Sequence, residues 1–249
     1  CKAKFVVMGL DVNENHINLL KNQKSPFKEP VLQELLIKYT NENKFFPTQD
    51  SNIISDSDIV IVSVPTPISE KIKPDLSFIK NACETISKFQ LNNKLVIIES
   101  SIPPKTFEQL ILPTLSKNEN NNFLASYIPE RLSPGQAFEE IQTTSRVVGA
   151  LDEESRIVSK ALYNKILKSK IFETNPIVAE TCKLVENTFR DVNVAFANEI
   201  AMVCEIYGID VLELRNICNS HPRVNILSPG PGVGGPCLPK DPYLLLNPQ

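Results

Sequence analysis

Short apolar runs rich in Val and Ile alternate with longer stretches of mixed polarity through the first two thirds of the chain. Lys4 to Leu10 reads as a buried strand ending at Gly9-Leu10-Asp11, and Ser57 to Val64 as a fully buried strand of the parallel-sheet kind. Runs at 94–98, 123–128 and 146–149 predict further strands, with helical patterns over 13–22, 31–43, about 76–89 and about 152–165. Strands alternating with helices predict an α/β fold built on a doubly wound parallel sheet. The strand ends are marked by polar residues and proline: Pro65-Thr66-Pro67 after one, Glu99-Ser100-Ser101-Ile102-Pro103-Pro104 after another. Proline ends the ladder, leaving hydroxyls and free backbone groups at the carboxyl ends, where open α/β sheets bind ligands. Asp11 occupies such an end too; it reads equally as a helix N-cap for 13–22 or as a ligand for a ribose.

From Pro176 the rhythm changes to one helical pattern reaching about Tyr207, with Pro176 in the first turn and Gly208 as the stop. Such a helix is on the order of 45 Å long, the length of a domain. A second helix follows over 210–218. The division expected is an α/β domain over 1–174 and an all-α domain over 175–249. The long helix is apolar on most of its circumference, yet Lys183, Asn187 and Arg190 recur at i, i+4 and i+7 on one face. A polar stripe there faces solvent or lines a polar cavity. A cation, an amide and a guanidinium suit an anionic, hydroxyl-rich ligand.

Composition narrows the classes. The 249 residues carry 26 Lys and Arg against 29 Asp and Glu, a formal charge of −3, with 42% hydrophobic residues. That suits a soluble globular chain of one large domain or two ordinary ones. It leaves no electrostatic footprint for nucleic acid or a membrane surface. No apolar run reaches the roughly 18 residues of a membrane span, and the N-terminal run is too short for a signal peptide. The cytoplasm is the default compartment. Six cysteines without a CxxC pair read as free thiols, and two distant histidines, His16 and His221, argue against a metal site.

One cysteine stands apart. Pro229-Gly230-Pro231-Gly232-Val233-Gly234-Gly235-Pro236 delivers Cys237 onto a loop, with Lys240 and Asp241 just downstream. Buried structural cysteines sit in apolar elements. A neighbouring cation instead favours the nucleophilic thiolate, although a tight Pro/Gly turn between helices also accounts for the local sequence.

The ordered set of Gly9-Leu10-Asp11, Val64-Pro65-Thr66-Pro67, Pro74-Asp75-Leu76, Glu99-Ser100-Ser101, Pro129-Glu130-Arg131-Leu132, Glu180 to Asn193, Ala197-Asn198-Glu199, His221 to Asn225 and the loop Gly230 to Pro242 resembles the UDP-glucose/GDP-mannose dehydrogenase family. More narrowly it is similar to the branch that oxidises UDP-N-acetyl-D-mannosamine; UDP-N-acetylglucosamine or UDP-glucose are the alternative substrates. The resemblance implies a Rossmann-like NAD domain, a central helical domain that forms a homodimer, and a four-electron oxidation of a C6 alcohol to a carboxylate, with two NAD used in turn. In that comparison the family's glycine turn lies before residue 1 and its C-terminal nucleotide-sugar domain beyond residue 249. Taken alone, the 249-residue polypeptide is expected to bind NAD negligibly and to show no activity.

The resemblance also assigns roles. Cys237 captures the aldehyde as a thiohemiacetal and then a thioester. Lys183 supplies charge and a proton to the oxyanion, Asn187 stands beside it as a neutral donor, and Asp241 orients water or the lysine. Glu130 and Ser101 are proton-relay candidates, with Ser101 where the family usually has threonine. Asp11, Thr66, Ser101 and Lys240 form the NAD set. Arg131, Leu132, Arg190, His221, Arg223 and Gly234, together with Lys183 and Asn187, form the substrate set, and Arg223 is expected to reach the partner subunit's substrate.

Overall fold

The computed structural model describes residues 3–29, 31–118, 122–132 and 135–246. β1 (Val7–Leu10) pairs in parallel with β2 (Phe45–Thr48), linked through α1 (Glu14–Lys21) and α2 (Leu32–Asn41). After α3 (Ile53–Asp56) comes a five-stranded sheet made of β3 (Ile59–Val62), β4 (Leu95–Ile98), β5 (Leu124–Tyr127), β6 (Arg146–Gly149) and β7 (Ile171–Thr174), ordered as in the chain. The crossovers are α4 (Ser77–Ile86), a π-helical turn over Phe107–Ile111 running into α5 (Leu112–Leu115), α6 (Ala137–Thr143) and α7 (Glu153–Asn164).

β4 is buried throughout and divides the core by the period of two that strands impose. Val96 and Ile98 pack with Ile79, Cys83 and Phe107 on one side, while Leu95 and Ile97 pack with Val148, Leu162 and Tyr163 on the other. Helices therefore cover both faces, as the doubly wound reading requires. The direction of one junction departs from it. β5 and β6 meet antiparallel, at Tyr127 and Gly149, so β6 and β7 run against the other strands. β3 corrects the expectation of a fully buried strand: it is an edge of the five-stranded sheet, and Ile61 is 49% exposed.

α8 (Pro176–Tyr207) begins with Pro176 at its first turn and ends at Gly208, whose φ of 67° is the left-handed conformation a helix stop favours. Its first turns are fastened to the sheet domain. The Glu180 carboxylate accepts hydrogen bonds from the N–H groups of Lys105 (2.7 Å) and Phe107 (2.8 Å), satisfying donors at the start of the π-helical turn. A β-carbon at Gly149 would lie 2.8 Å from Pro176 Cα and 2.9 Å from Ala179 Cβ, so glycine is what lets α8 lie on the end of β6. α9 (Val211–Asn219) is capped by Asp210, and α10 (Asp241–Leu246) packs back on α8. No helix among the described residues is long and apolar enough to cross a membrane. The five described cysteines are unpaired; Cys1 lies outside the described residues.

Candidate active site

A cleft of about 580 Å³ opens at the carboxyl ends of β3 and β4, and the loop between α9 and α10 closes its far side. Thr66, Ser101, Glu130, Cys237 and Lys240 all line it, although they come from four separate segments. The position follows from topology: strands of a parallel sheet end together, and their loops open on the same rim.

A continuous polar chain crosses this rim. Asn187 donates to Asp241 (Nδ2 to Oδ2, 2.6 Å), Lys240 donates to Asp241 (Nζ to Oδ1, 3.0 Å) and to Thr66 (Oγ1, 3.3 Å), and Thr66 donates to the carbonyl of Ser101 (2.6 Å). Asp241 is fully buried, and its two carboxylate oxygens are each engaged. The lysine it contacts is Lys240, a residue the expected roles gave to the cofactor. Cys237 stands exposed at the cleft, and its carbonyl accepts from the N–H groups of Lys240 (3.1 Å) and Asp241 (3.0 Å), which fixes the thiol's backbone to the first turn of α10. Within the loop Gly232 and Gly235 take φ of 127° and 89°, values that a side chain would resist.

Lys183 is buried one turn before Asn187 on α8, and its charge acts on Glu130. Burial raises the Glu130 carboxyl above its ordinary value; Lys183 and Arg146 pull it down, and Glu99 and Glu140 push it up. The Glu130 side chain also accepts from the N–H of Leu132. Arg131 is turned elsewhere. Its guanidinium forms a two-pronged pair with Glu186 (2.5 and 2.9 Å) and donates to the Ser145 carbonyl (2.8 Å).

The remaining expected residues are not drawn to the cleft. Arg190 is exposed on α8, a turn beyond Asn187. His221, Arg223 and Gly234 lie exposed on the long loop after α9, where the Arg223 N–H donates to His221 Nδ1 (3.3 Å). Asp11, at the carboxyl end of β1, accepts from Asn13 N–H (2.9 Å) and lies 3.3 Å from His16 Nδ1. The N-cap of α1 is Asn13, so that alternative for Asp11 falls away.

Two residues of the cleft carried no role in the sequence reading. Ser100 is buried, accepting from Val64 N–H (2.9 Å) and donating to Val64 O (2.8 Å), which ties the ends of β3 and β4 together. Glu99 lines the cleft and accepts from the Tyr163 hydroxyl (2.5 Å). The only signal for either was its place just past a strand.

The models for the UDP-glucose/GDP-mannose dehydrogenase family match twice, as its NAD binding domain over residues 1–167 and as its central domain over 177–249. Two similar proteins are the UDP-N-acetyl-D-mannosamine dehydrogenases of Pyrococcus horikoshii and Methanococcus maripaludis. They are 40% and 38% identical over 98% of this chain, which covers 59% and 56% of their lengths. The solved structure of the UDP-D-ManNAc dehydrogenase from Pyrococcus horikoshii superposes with a TM-score of 0.92 at 38% identity, over 98% of this chain and 59% of that one. The chain thus spans less than two thirds of the relatives it matches. With its sheet, its long helix and its cleft all in place across those two matched regions, the chain belongs to the UDP-glucose/GDP-mannose dehydrogenase family.

Proposed function

We propose that this chain serves the NAD-dependent oxidation of the C6 alcohol of UDP-N-acetyl-D-mannosamine to the carboxylate, with Cys237 as the covalent nucleophile. The observation that carries the reading is the exposed Cys237 thiol on a cleft shared with Thr66, Ser101, Glu130 and Lys240. The relatives named for that sugar support the choice of substrate. We place the domain division at 1–174 and 175–249, since β7 ends at Thr174 and α8 starts at Pro176.

The residues present fit the cofactor. The cleft lies at the ligand end of the sheet, and Asp11 offers a carboxylate at the end of β1 with lone pairs beyond those it already uses. Asp11, Thr66, Ser101 and Lys240 would hold it. When bound, NAD supplies the hydride acceptor for each oxidation.

Glu130, in reach of the Lys183 field, takes the proton from the C6 hydroxyl as the first oxidation proceeds. The Cys237 sulfur then bonds to the aldehyde carbon, and its oxygen takes negative charge that Lys183 and Asn187 stabilise. The second oxidation leaves a thioester. Once Glu130 has released that first proton to solvent through the open cleft, it takes a proton from a water that attacks the thioester carbon. The C–S bond breaks, the sulfur leaves as thiolate and the product as carboxylate. Asp241 holds Asn187 and Lys240 in place throughout. Arg131, Leu132, Arg190, His221, Arg223 and Gly234 remain the proposed sugar-nucleotide contacts, with Arg223 acting across a homodimer built on α8. NADH formation by the complete gene product, measured with UDP-N-acetylmannosamine, UDP-N-acetylglucosamine and UDP-glucose, tests the reading. The highest kcat/KM is expected with the first, and a preference for UDP-glucose overturns that choice.

A further inference from the structure

We infer that Arg146 is a positioning residue for Glu130: from β6 it fixes the backbone that presents Glu130 to the cleft and supplies the cation behind it. The inference rests on the proposed role of Glu130 as proton acceptor. Arg146 is 3% exposed, and among the described residues it forms no ion pair with a carboxylate. A buried guanidinium without a close counter-charge is costly, and its Nε has no hydrogen-bond partner in this structure. Something in the protein must make a cation worth keeping there.

The contacts show what it holds. Arg146 Nη1 donates to the carbonyl of Pro129 (3.0 Å), the peptide group leading directly into Glu130. The Glu130 N–H donates to the carbonyl of Glu99 (3.4 Å), and the Arg131 guanidinium, one residue later, donates to the carbonyl of Ser145, the neighbour of Arg146. The start of β6 thus grips the Pro129–Arg131 segment on both sides of Glu130. The guanidinium carbon lies 5.9 Å from the centre of the Tyr163 ring, and that ring's hydroxyl donates to Glu99, which lines the cleft beside Glu130. A smaller neutral donor could hold one carbonyl; the planar fork also places a full charge against the ring.

Four charged groups act on the Glu130 carboxyl: Lys183 from α8, Arg146 from β6, Glu99 after β4 and Glu140 from α6. Two are cations and two are anions. Removing the Arg146 charge leaves Lys183 alone against both carboxylates, so Glu130 would keep its proton to higher pH.

The test is the pH dependence of kcat/KM for the complete gene product and its Arg146→Gln, Arg146→Lys and Glu130→Gln variants. Arg146→Gln keeps a donor for the Pro129 carbonyl without the charge, and should move the acid limb up by about one pH unit, with KM for NAD unchanged. Arg146→Lys keeps the charge and should restore most of the limb. An unmoved limb in Arg146→Gln, or an equal shift in Arg146→Lys, overturns the inference; Arg146→Lys also decides it should Arg146→Gln fail to fold. Glu130→Gln separates the two readings. Wild-type rates in that variant sink the role of Glu130 itself, whereas its loss of activity beside an unmoved Arg146→Gln limb sinks this inference alone.

Discussion

Asn187 donates a 2.6 Å hydrogen bond to Asp241, fastening the middle of α8 to the turn that carries Cys237. The contact joins residues 54 apart in sequence and makes the two halves of the site one unit. Asp241→Ala leaves the buried Asn187 and the mostly covered Lys240 ammonium without their shared acceptor. We expect a loss of about 3 kcal/mol in urea unfolding and a collapse of kcat. Asp241→Asn, which keeps one oxygen, should unfold closer to wild type while losing its hold on Lys240. Equal stability of Asp241→Ala and wild type would show that the contact does not hold the loop.

Cys237→Ala removes the proposed covalent trap without disturbing buried packing, because the residue is exposed. The variant should melt at the wild-type temperature and form no carboxylate product, read by mass spectrometry of the nucleotide sugar. Cys237→Ser should be nearly as poor, since an alcohol is far less ionised near neutral pH than a thiol. Carboxylate formed at the wild-type rate by either variant would remove Cys237 from the mechanism.

The parts of the fold legible in the sequence are those with repeated, physically redundant signals. α8 was readable from end to end because Pro176, Gly208 and an unbroken pattern agree about its limits. β2 and β7 were not: Phe45-Phe46-Pro47-Thr48 carries a proline, and Ile171-Phe172-Glu173-Thr174 is four residues with no clean alternation. α6 and α10, of seven and six residues, are too short for a period of 3.6 to declare itself. β6 is buried at all four residues, the pattern of a parallel strand, so its antiparallel join to β5 was invisible. In the site, the segments were legible because strand ends, prolines and the glycine loop mark them. Their pairing was not. Lys240 meets Thr66 across 174 residues, and nothing local to either side chain announces the other. Arg131 shows the converse limit, for its charge suits a sugar nucleotide but Glu186 and Ser145 engage it in this structure.

Glu180 should give the chain a pH-dependent seam between α8 and the sheet. Burial pushes its carboxyl from 4.5 up to about 7, against the pull of the Phe107 and Lys105 N–H groups. A carboxyl whose folded value lies above its unfolded one favours folding in its protonated form. Its contribution is therefore full below about 4.5 and is lost as the pH rises to about 7. Glu180→Gln, which cannot ionise, should lack that decline. Unfolding midpoints in denaturant at pH 5, 6, 7 and 8 should show wild type losing ground to Glu180→Gln across this range; parallel profiles would contradict it.

The middle of α8 presents Val185, Phe189, Val192 and Phe196 on one face, spaced by four, three and four residues and each between 47% and 61% exposed. Buried apolar surface is worth roughly 25 cal/mol per Å², and a stripe of this kind left in water forgoes that gain along its length. Packing the same face of a second copy against it would recover the gain for both, which is the isologous arrangement of a two-fold dimer. It would also carry the exposed loop with His221 and Arg223 toward the neighbouring subunit, giving those side chains a route to a cleft that they do not reach within one chain. Phe189→Asp with Val192→Asp places two carboxylates at the centre of the stripe, next to their own symmetry mates, while leaving the buried face with Lys183 and Asn187 untouched. Light scattering of the complete gene product at micromolar concentration should give a dimer for wild type and a monomer for the double variant. Activity should fall with the dimer and return in part at high protein concentration. A monomeric wild type would set aside both the dimer and the proposed reach of Arg223 into its partner.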